Sequence, residues 1–166
     1  MMRRGLDNAG KTTILKRLGG EDVTSVSPTL GFNIKTLPLD GYQLNIWDVG
    51  GQKTLRSYWR NYFGQTDALI WVVDSVDVAR LGDAAEELAR LLLEERLEGA
   101  PLLVMANKQD VRGALAPEAL EGALALEKLA HRKHLLQACS AVAGDGVREG
   151  FAWVVKTVAE RMYVAD

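Results

Sequence analysis

The sequence predicts an α/β fold with a mostly parallel central sheet, one antiparallel hairpin at its edge and helices on both faces. Three observations carry that expectation. Apolar runs of strand length alternate with segments of helical periodicity. Two strand-like runs meet across Asp40-Gly41, a strong hairpin signal. A loop bracketed by glycines, Gly5 to Gly10, leads straight into a helix-compatible segment.

The elements follow in chain order. Residues 11–18 suit a helix that Gly19-Gly20 ends. Residues 32–39 and 42–49 form the hairpin, and 68–74 is a further apolar strand. Residues 79–97 read as one amphipathic helix, with Leu81, Leu88, Leu91 and Leu92 inward and Glu86, Glu87, Arg90 and Glu94 outward. Residues 102–107 are continuously apolar up to Asn107, as in a strand buried on both faces. Pro117 suits a helix start leading through Leu120 and Leu124. A short strand at 135–140 and a helix at 147–163, with Phe151, Val154, Val155 and Val158 on its apolar side, complete the series.

One element is expected to be missing. Only Met1-Met2-Arg3-Arg4 precede the glycine loop, and two arginines are poor material for a central strand. With strands about 4.8 Å apart, losing a middle strand leaves its neighbours roughly 10 Å apart, with orphaned backbone groups between them. The expectation is therefore a single domain over 1–166, truncated at its N-terminus.

Composition bounds the function. A formal net charge of −2 gives no electrostatic case for nucleic-acid binding, and an apolar fraction of 48% allows a full core. The single cysteine, Cys139, cannot form an internal disulfide and fits a reducing, cytoplasmic setting. It reads as a small buried residue and not as a nucleophile. His131 and His134 read as surface residues, since no ligand-spaced cluster accompanies them. No apolar run nears membrane-span length, and no signal peptide, myristoylation start or prenylation box is visible, so no stable membrane anchor is expected.

The most specific segment is Gly5-Leu6-Asp7-Asn8-Ala9-Gly10-Lys11-Thr12, which reads G-x-x-x-x-G-K-T. Glycines let successive backbone N–H groups turn inward around a phosphate chain, and the start of the next helix adds its positive end. Lys11 would reach the β and γ phosphates, the Thr12 hydroxyl would ligate Mg²⁺, and Thr13 follows in the same turn. Farther on, the strand 42–49 carries Asp48 at its end, followed by Gly50-Gly51-Gln52. Asp48 can hold magnesium through water, Gly51 can offer its N–H to the γ-phosphate, and Gln52 can orient an attacking water.

Asn107-Lys108-Gln109-Asp110 addresses the base. Guanine presents two neighbouring edge donors that one carboxylate, Asp110, can accept together; adenine lacks the pair. Asn107 could contact the other edge of the base, and the stem of Lys108 could pack along its face.

Pro28-Thr29, the Asp48–Gln52 segment, Asn107–Asp110 and Cys139-Ser140-Ala141 follow the phosphate loop in the order of a small Ras-type GTPase. The spellings GLDNAGKTT, SPTLGFN, WDVGGQ, RSYWRNYF and ANKQD resemble the ADP-ribosylation-factor family and its ARF-like branch. The resemblance implies a P-loop NTPase fold and a GTP/GDP switch with Mg²⁺. It implies that Thr29 reaches the metal and the γ-phosphate only in the GTP state, that Gly51 senses the γ-phosphate, and that Gln52 is catalytic. It also implies that Ser140-Ala141 touches the guanine carbonyl through a backbone N–H. Phe32, Trp47 and Tyr62 would form an effector surface, although by sequence alone they could equally be core residues. The implied partners are effectors such as a tubulin-folding cofactor and carriers of lipidated cargo, with exchange and GTPase-activating factors, acting on a monomer. Two other readings stay open: a non-hydrolysing interaction module with impaired nucleotide binding, and a vesicle-trafficking regulator. A P-loop small-molecule kinase is disfavoured by the Asn107–Asp110 motif.

Overall fold

The computed structural model describes residues 2–27, 29–50, 54, 56, 60–61, 63–64 and 66–164, with side chains from Gly5 onward. Among the described residues, six strands form one sheet: β1 (Met2–Gly5), β2 (Phe32–Leu39), β3 (Tyr42–Val49), β4 (Leu69–Asp74), β5 (Leu102–Asn107) and β6 (His134–Ala138). The helices are α1 (Lys11–Leu18), α2 (Leu81–Leu92), α3 (Pro117–Ala123) and α4 (Val147–Val164). The spatial strand order is β2-β3-β1-β4-β5-β6. The β2–β3 hairpin is antiparallel, and the other pairings of the described strands are parallel.

The first strand corrects the sequence expectation. Met2–Gly5 lies between β3 and β4, pairing Met2 with Trp47 on one side and Met2 to Gly5 with Leu69 to Val72 on the other. A ladder is built from backbone N–H and C=O groups, which arginine supplies as well as valine does. Strand propensity is a contextual preference that pairing on both edges overrides. The anticipated gap between β3 and β4 is therefore filled.

The continuous apolar character of β4 and β5 has a geometric cause. Successive side chains of a strand face opposite sides of the sheet. Leu69, Trp71 and Val73, with Leu102, Val104 and Ala106, enter a core with α2 and α3, where Leu88, Leu91 and Leu120 are buried. Ile70, Val72, Leu103 and Met105 enter the opposite core with Ile14 and Leu15 of α1 and Phe151 and Val154 of α4. Each strand serves two interiors, so neither of its faces is polar.

The segment 79–97 is divided in three. A 3-10 turn at Val78–Arg80 precedes α2, and another at Glu95–Leu97 follows it. The inward leucines behave as expected, with Leu88 and Leu91 buried and Leu81 and Leu92 packed at the margin. Glu87 is less exposed than its sequence position suggests, because it pairs with Arg56 at 3.3 Å. The last strand ends at Ala138, so Cys139 and Ser140 belong to the following loop. His134 is the first residue of β6 and is half-buried, with Nδ1 2.9 Å from the Arg132 carbonyl, which corrects its reading as a plain surface residue.

Candidate functional site

The carboxyl ends of the parallel strands and the first turn of α1 meet at one rim of the sheet, where ligands of open α/β folds collect. A cleft of ≈ 530 Å³ there is lined by Asp7, Asn8, Gly10, Lys11, Thr12, Thr13, Val26, Ser27, Thr29 and Gly50. These include most of the predicted phosphate-loop residues and one predicted residue, Thr29, from the distant 21–31 segment.

Local backbone chemistry sets the loop. Gly10 precedes α1 with φ of 92°, and a Cβ there would lie 2.3 Å from Asn107 Nδ2. Gly5, at φ of 151°, leaves β1 so close to β4 that a Cβ would meet the Val72 carbonyl oxygen at 2.2 Å. Glycine meets both requirements, of conformation and of approach. Leu6 and Ala9 are buried and anchor the loop from beneath, while Asp7 and Asn8 are exposed. Lys11 Nζ folds back over the loop, donating to the Gly5 carbonyl at 3.1 Å and the Leu6 carbonyl at 2.5 Å. The amides of the first turn of α1 face the same concavity with the positive end of the helix dipole.

Three oxygen groups converge beside that turn. The Thr12 hydroxyl donates to Asp48 Oδ2 at 2.9 Å and lies 2.8 Å from the Thr29 hydroxyl. Asp48, the last residue but one of β3, is 1% exposed and is brought to α1 because β3 adjoins β1. An oxygen-only set of two hydroxyls and one carboxylate suits a hard divalent cation such as Mg²⁺. The segment carrying Thr29 is tied at both ends: Lys16 Nζ donates to the Ser25 carbonyl at 2.7 Å, and the Gly50 N–H donates to the Gly31 carbonyl at 2.9 Å.

The residues predicted for the base lie beside the phosphate loop, at the end of β5 and in the loop after β6. Asn107 is 2% exposed, and both ends of its amide bond to protein. Its Nδ2 donates to the Ala9 carbonyl at 3.0 Å and its Oδ1 accepts the Ala141 N–H at 3.0 Å. It joins the phosphate loop to the 140–146 loop. Lys108 takes φ of 67° and sends Nζ to the Asn8 carbonyl at 2.9 Å and Asp74 Oδ2 at 2.6 Å, so its stem lies along the cleft. Asp110 is exposed and accepts the Ser140 hydroxyl at 2.7 Å. Ser140 Oγ in turn accepts the Ala143 N–H at 3.0 Å. Cys139 is buried next to Asn107, and burial pushes its thiol pKa up to about 12.

Phe32 is exposed and stacks on half-buried Trp47, with ring centroids 5.9 Å apart. Trp47 also packs against the α2-side core, one of the two alternatives left open by its sequence. Gly51, Gln52 and Tyr62 lie outside the described residues, as does Pro28.

Some residues of the site carry little sequence signal. Arg80 donates to Asp7 Oδ1 at 2.9 Å and the Asp7 carbonyl at 3.0 Å, bracing the exposed turn of the phosphate loop. Its hydrogen bond to Asp77 holds that carboxyl below its ordinary value and raises the Arg80 guanidinium above its own. Gln109 points away from the cleft, donating to Ser75 Oγ at 2.9 Å and the Leu115 carbonyl at 3.1 Å. Asp74 was detectable in principle, as an acidic residue closing an apolar strand beside Asn107.

Comparison with known proteins agrees with this arrangement. The family described as the ADP-ribosylation factor family matches residues 1–158. "ADP-ribosylation factor-like protein 2" of Arabidopsis thaliana is 57% identical over 163 residues, covering 98% of this chain and 88% of that protein. The protein of the same name from Dictyostelium discoideum is 56% identical over 162 residues, with coverage of 98% and 88%. "ADP-ribosylation factor-like protein 3" of Chlamydomonas reinhardtii is 57% identical over 154 residues, covering 93% of this chain and 87% of that protein. Among solved structures, the Arl6 (BBS3) small GTPase of Trypanosoma brucei with the bound nucleotide analogue GppNp superposes with a TM-score of 0.88 at 33% identity, covering 96% of each chain. The chain belongs to the ADP-ribosylation factor family of small GTPases.

Proposed function

We propose that this GTPase binds GTP or GDP in the cleft at the strand ends and works as a switch read by protein effectors. The observation that carries the reading is that the Thr12 hydroxyl, beside the phosphate loop, lies within 2.9 Å of both Thr29 and Asp48. Thr29 and Asp48 are remote from Thr12 in sequence, and their convergence on it would make a site for Mg²⁺. Thr12 and Thr29 would bind the metal directly and Asp48 through water; the metal would neutralise phosphate charge.

The chain's own groups supply the rest. The amides of residues 6–13 and Lys11 cradle the phosphates and stabilise charge that develops on the γ-phosphoryl oxygens. Lys11 exchanges a carbonyl contact for phosphate oxygen over a short movement. Gln52 orients the water that attacks phosphorus in line, releasing GDP and phosphate. Asp110 accepts the two guanine edge donors, and the Ser140-Ala141 loop meets the guanine carbonyl. With no arginine assigned to the reacting phosphate, intrinsic turnover is on the order of 10⁻⁴ s⁻¹ and depends on an activating partner for speed. Loss of the γ-phosphate releases Thr29 and Gly51, and both flanking segments relax.

The effector surface would include Phe32, Trp47 and Tyr62. The role that the family resemblance implies is cytoplasmic, with partners in tubulin folding and lipidated-cargo release, and the likeness to ADP-ribosylation factor-like protein 2 of Arabidopsis thaliana and Dictyostelium discoideum supports the ARF-like branch. The interaction-module alternative drew on a missing first strand, and Met2–Gly5 removes that motive.

Titration with a fluorescent GDP analogue in Mg²⁺ tests the reading. Micromolar or tighter binding that Asp110→Ala abolishes is the expected result; a folded protein that ignores guanine nucleotides overturns it. Gln52→Leu is expected to slow GTP hydrolysis without weakening GTP binding, and equal rates would remove Gln52 from the mechanism.

A further inference from the structure

Arg17 stands on the last turn of α1, away from the phosphate cleft. Its guanidinium crosses to the 140–146 loop, where Nε donates to the Ala141 carbonyl at 2.7 Å and Nη2 donates to the Val142 carbonyl. These partners are 124 and 125 residues away in sequence. The loop folds around the stem as well: a Cβ on Gly144 would lie 3.6 Å from Arg17 Cδ.

A trans peptide is planar, and its carbonyl and the following N–H point in opposite directions. Gripping the Val142 carbonyl therefore aims the Ala143 N–H the other way. That N–H donates to Ser140 Oγ at 3.0 Å, and the Ser140 hydroxyl donates to Asp110 Oδ1 at 2.7 Å. The line of bonds begins at Arg17 and ends on the carboxylate that faces the base. Asn107 fixes the same loop from the buried side through the Ala141 N–H, so the loop is held from both sides. Two N–H donors from one planar guanidinium on adjacent carbonyls restrict the loop more than one point charge does.

We propose that Arg17 is a positioning residue for guanine discrimination: it locks the 140–146 loop to α1 so that Ser140 holds Asp110 in register with the base. The proposal rests on the reading of the cleft as a guanine-nucleotide site. It predicts a change in selectivity beyond any change in affinity. Inosine lacks the exocyclic amine of guanine, and so lacks one of the two donors that Asp110 accepts.

The test is affinity for GDP and for IDP, measured in Mg²⁺ on the parent chain, Arg17→Ala, Arg17→Lys and Ser140→Ala. Arg17→Ala is expected to weaken GDP binding roughly three- to tenfold, the range for losing one or two ordinary hydrogen bonds, and to weaken IDP binding less. The GDP/IDP ratio therefore falls. Arg17→Lys is expected to recover part of the ratio, and Arg17→Ala added to Ser140→Ala to lower it little further. A parent chain that binds GDP, with an Arg17→Ala ratio equal to its own, overturns the proposal alone. A folded parent chain that binds neither nucleotide overturns the reading of the cleft, and the proposal with it.

Discussion

Asn107 holds Ala9 across the cleft: the amide at the end of β5 donates 3.0 Å to the carbonyl of the phosphate loop, and both residues are at most 2% exposed. The halves that would receive phosphate and base are thus one hydrogen-bonded unit before any ligand arrives. Asn107→Ala would orphan the Ala9 carbonyl and the Ala141 N–H together, at about 1–3 kcal/mol for each buried group left unsatisfied. Urea unfolding without nucleotide should show that loss, and GDP affinity should fall in the same variant. Unchanged stability would mean that water replaces the amide.

Gly10→Ala isolates the same contact from the other side. The added methyl would sit 2.3 Å from Asn107 Nδ2 on a backbone at φ of 92°, so both the clip and the loop must move. Nucleotide binding should fall by at least tenfold, read by the fluorescence titration. Gly20→Ala is the control, because its φ of 70° carries similar backbone strain with nothing within 4 Å of the new methyl.

Cys139 yields a pH prediction with a definite sign. Its thiol ionises near the ordinary cysteine value of 9.0 in the unfolded chain but is pushed up to about 12 by burial in the folded one. Folding therefore keeps a proton that unfolding releases, and this contribution to stability fades as pH rises from about 9 toward 12. Alkylation by iodoacetamide at pH 8 should be slow in the folded protein and fast in denaturant. Rapid labelling of the native chain would show that the 139–141 loop opens readily.

Thr12→Ala should separate metal dependence from the rest of the site. It removes the hydroxyl that touches both Thr29 and Asp48 while leaving the amides of α1 in place. GDP should still bind, more weakly, and chelation of Mg²⁺ should no longer accelerate its release. A chelator effect as large as in the parent would take Thr12 out of the metal site.

The sequence was most legible where one residue type has one structural use. Gly19-Gly20 ends α1, Asp40-Gly41 turns the hairpin, and all three strands 32–39, 42–49 and 102–107 begin and end where their patterns do. The phosphate loop was legible for the same reason, since few constraints other than a curled backbone explain Gly5 and Gly10 together. β1 was misjudged because side-chain preference was weighed against a strand whose pairing is made by backbone. The residue type of Asn107 suits an edge contact with a base, while its two long-range protein partners are consequences of topology that no local pattern announces. Arg17 and Arg80 follow no spacing rule: each reaches a loop brought near only once the sheet has assembled.

The alternation of β4 and β5 between two interiors has a consequence for the cleft. A one-residue slip of either strand would exchange the contents of both cores at once and move Asp74 or Asn107 to the opposite side of the sheet. The packing that resists such a slip also holds the groups proposed to face the purine at their height above the strand ends. Steric fit far below the rim thus acts as the vernier of the recognition chemistry, and errors in one cannot be hidden from the other.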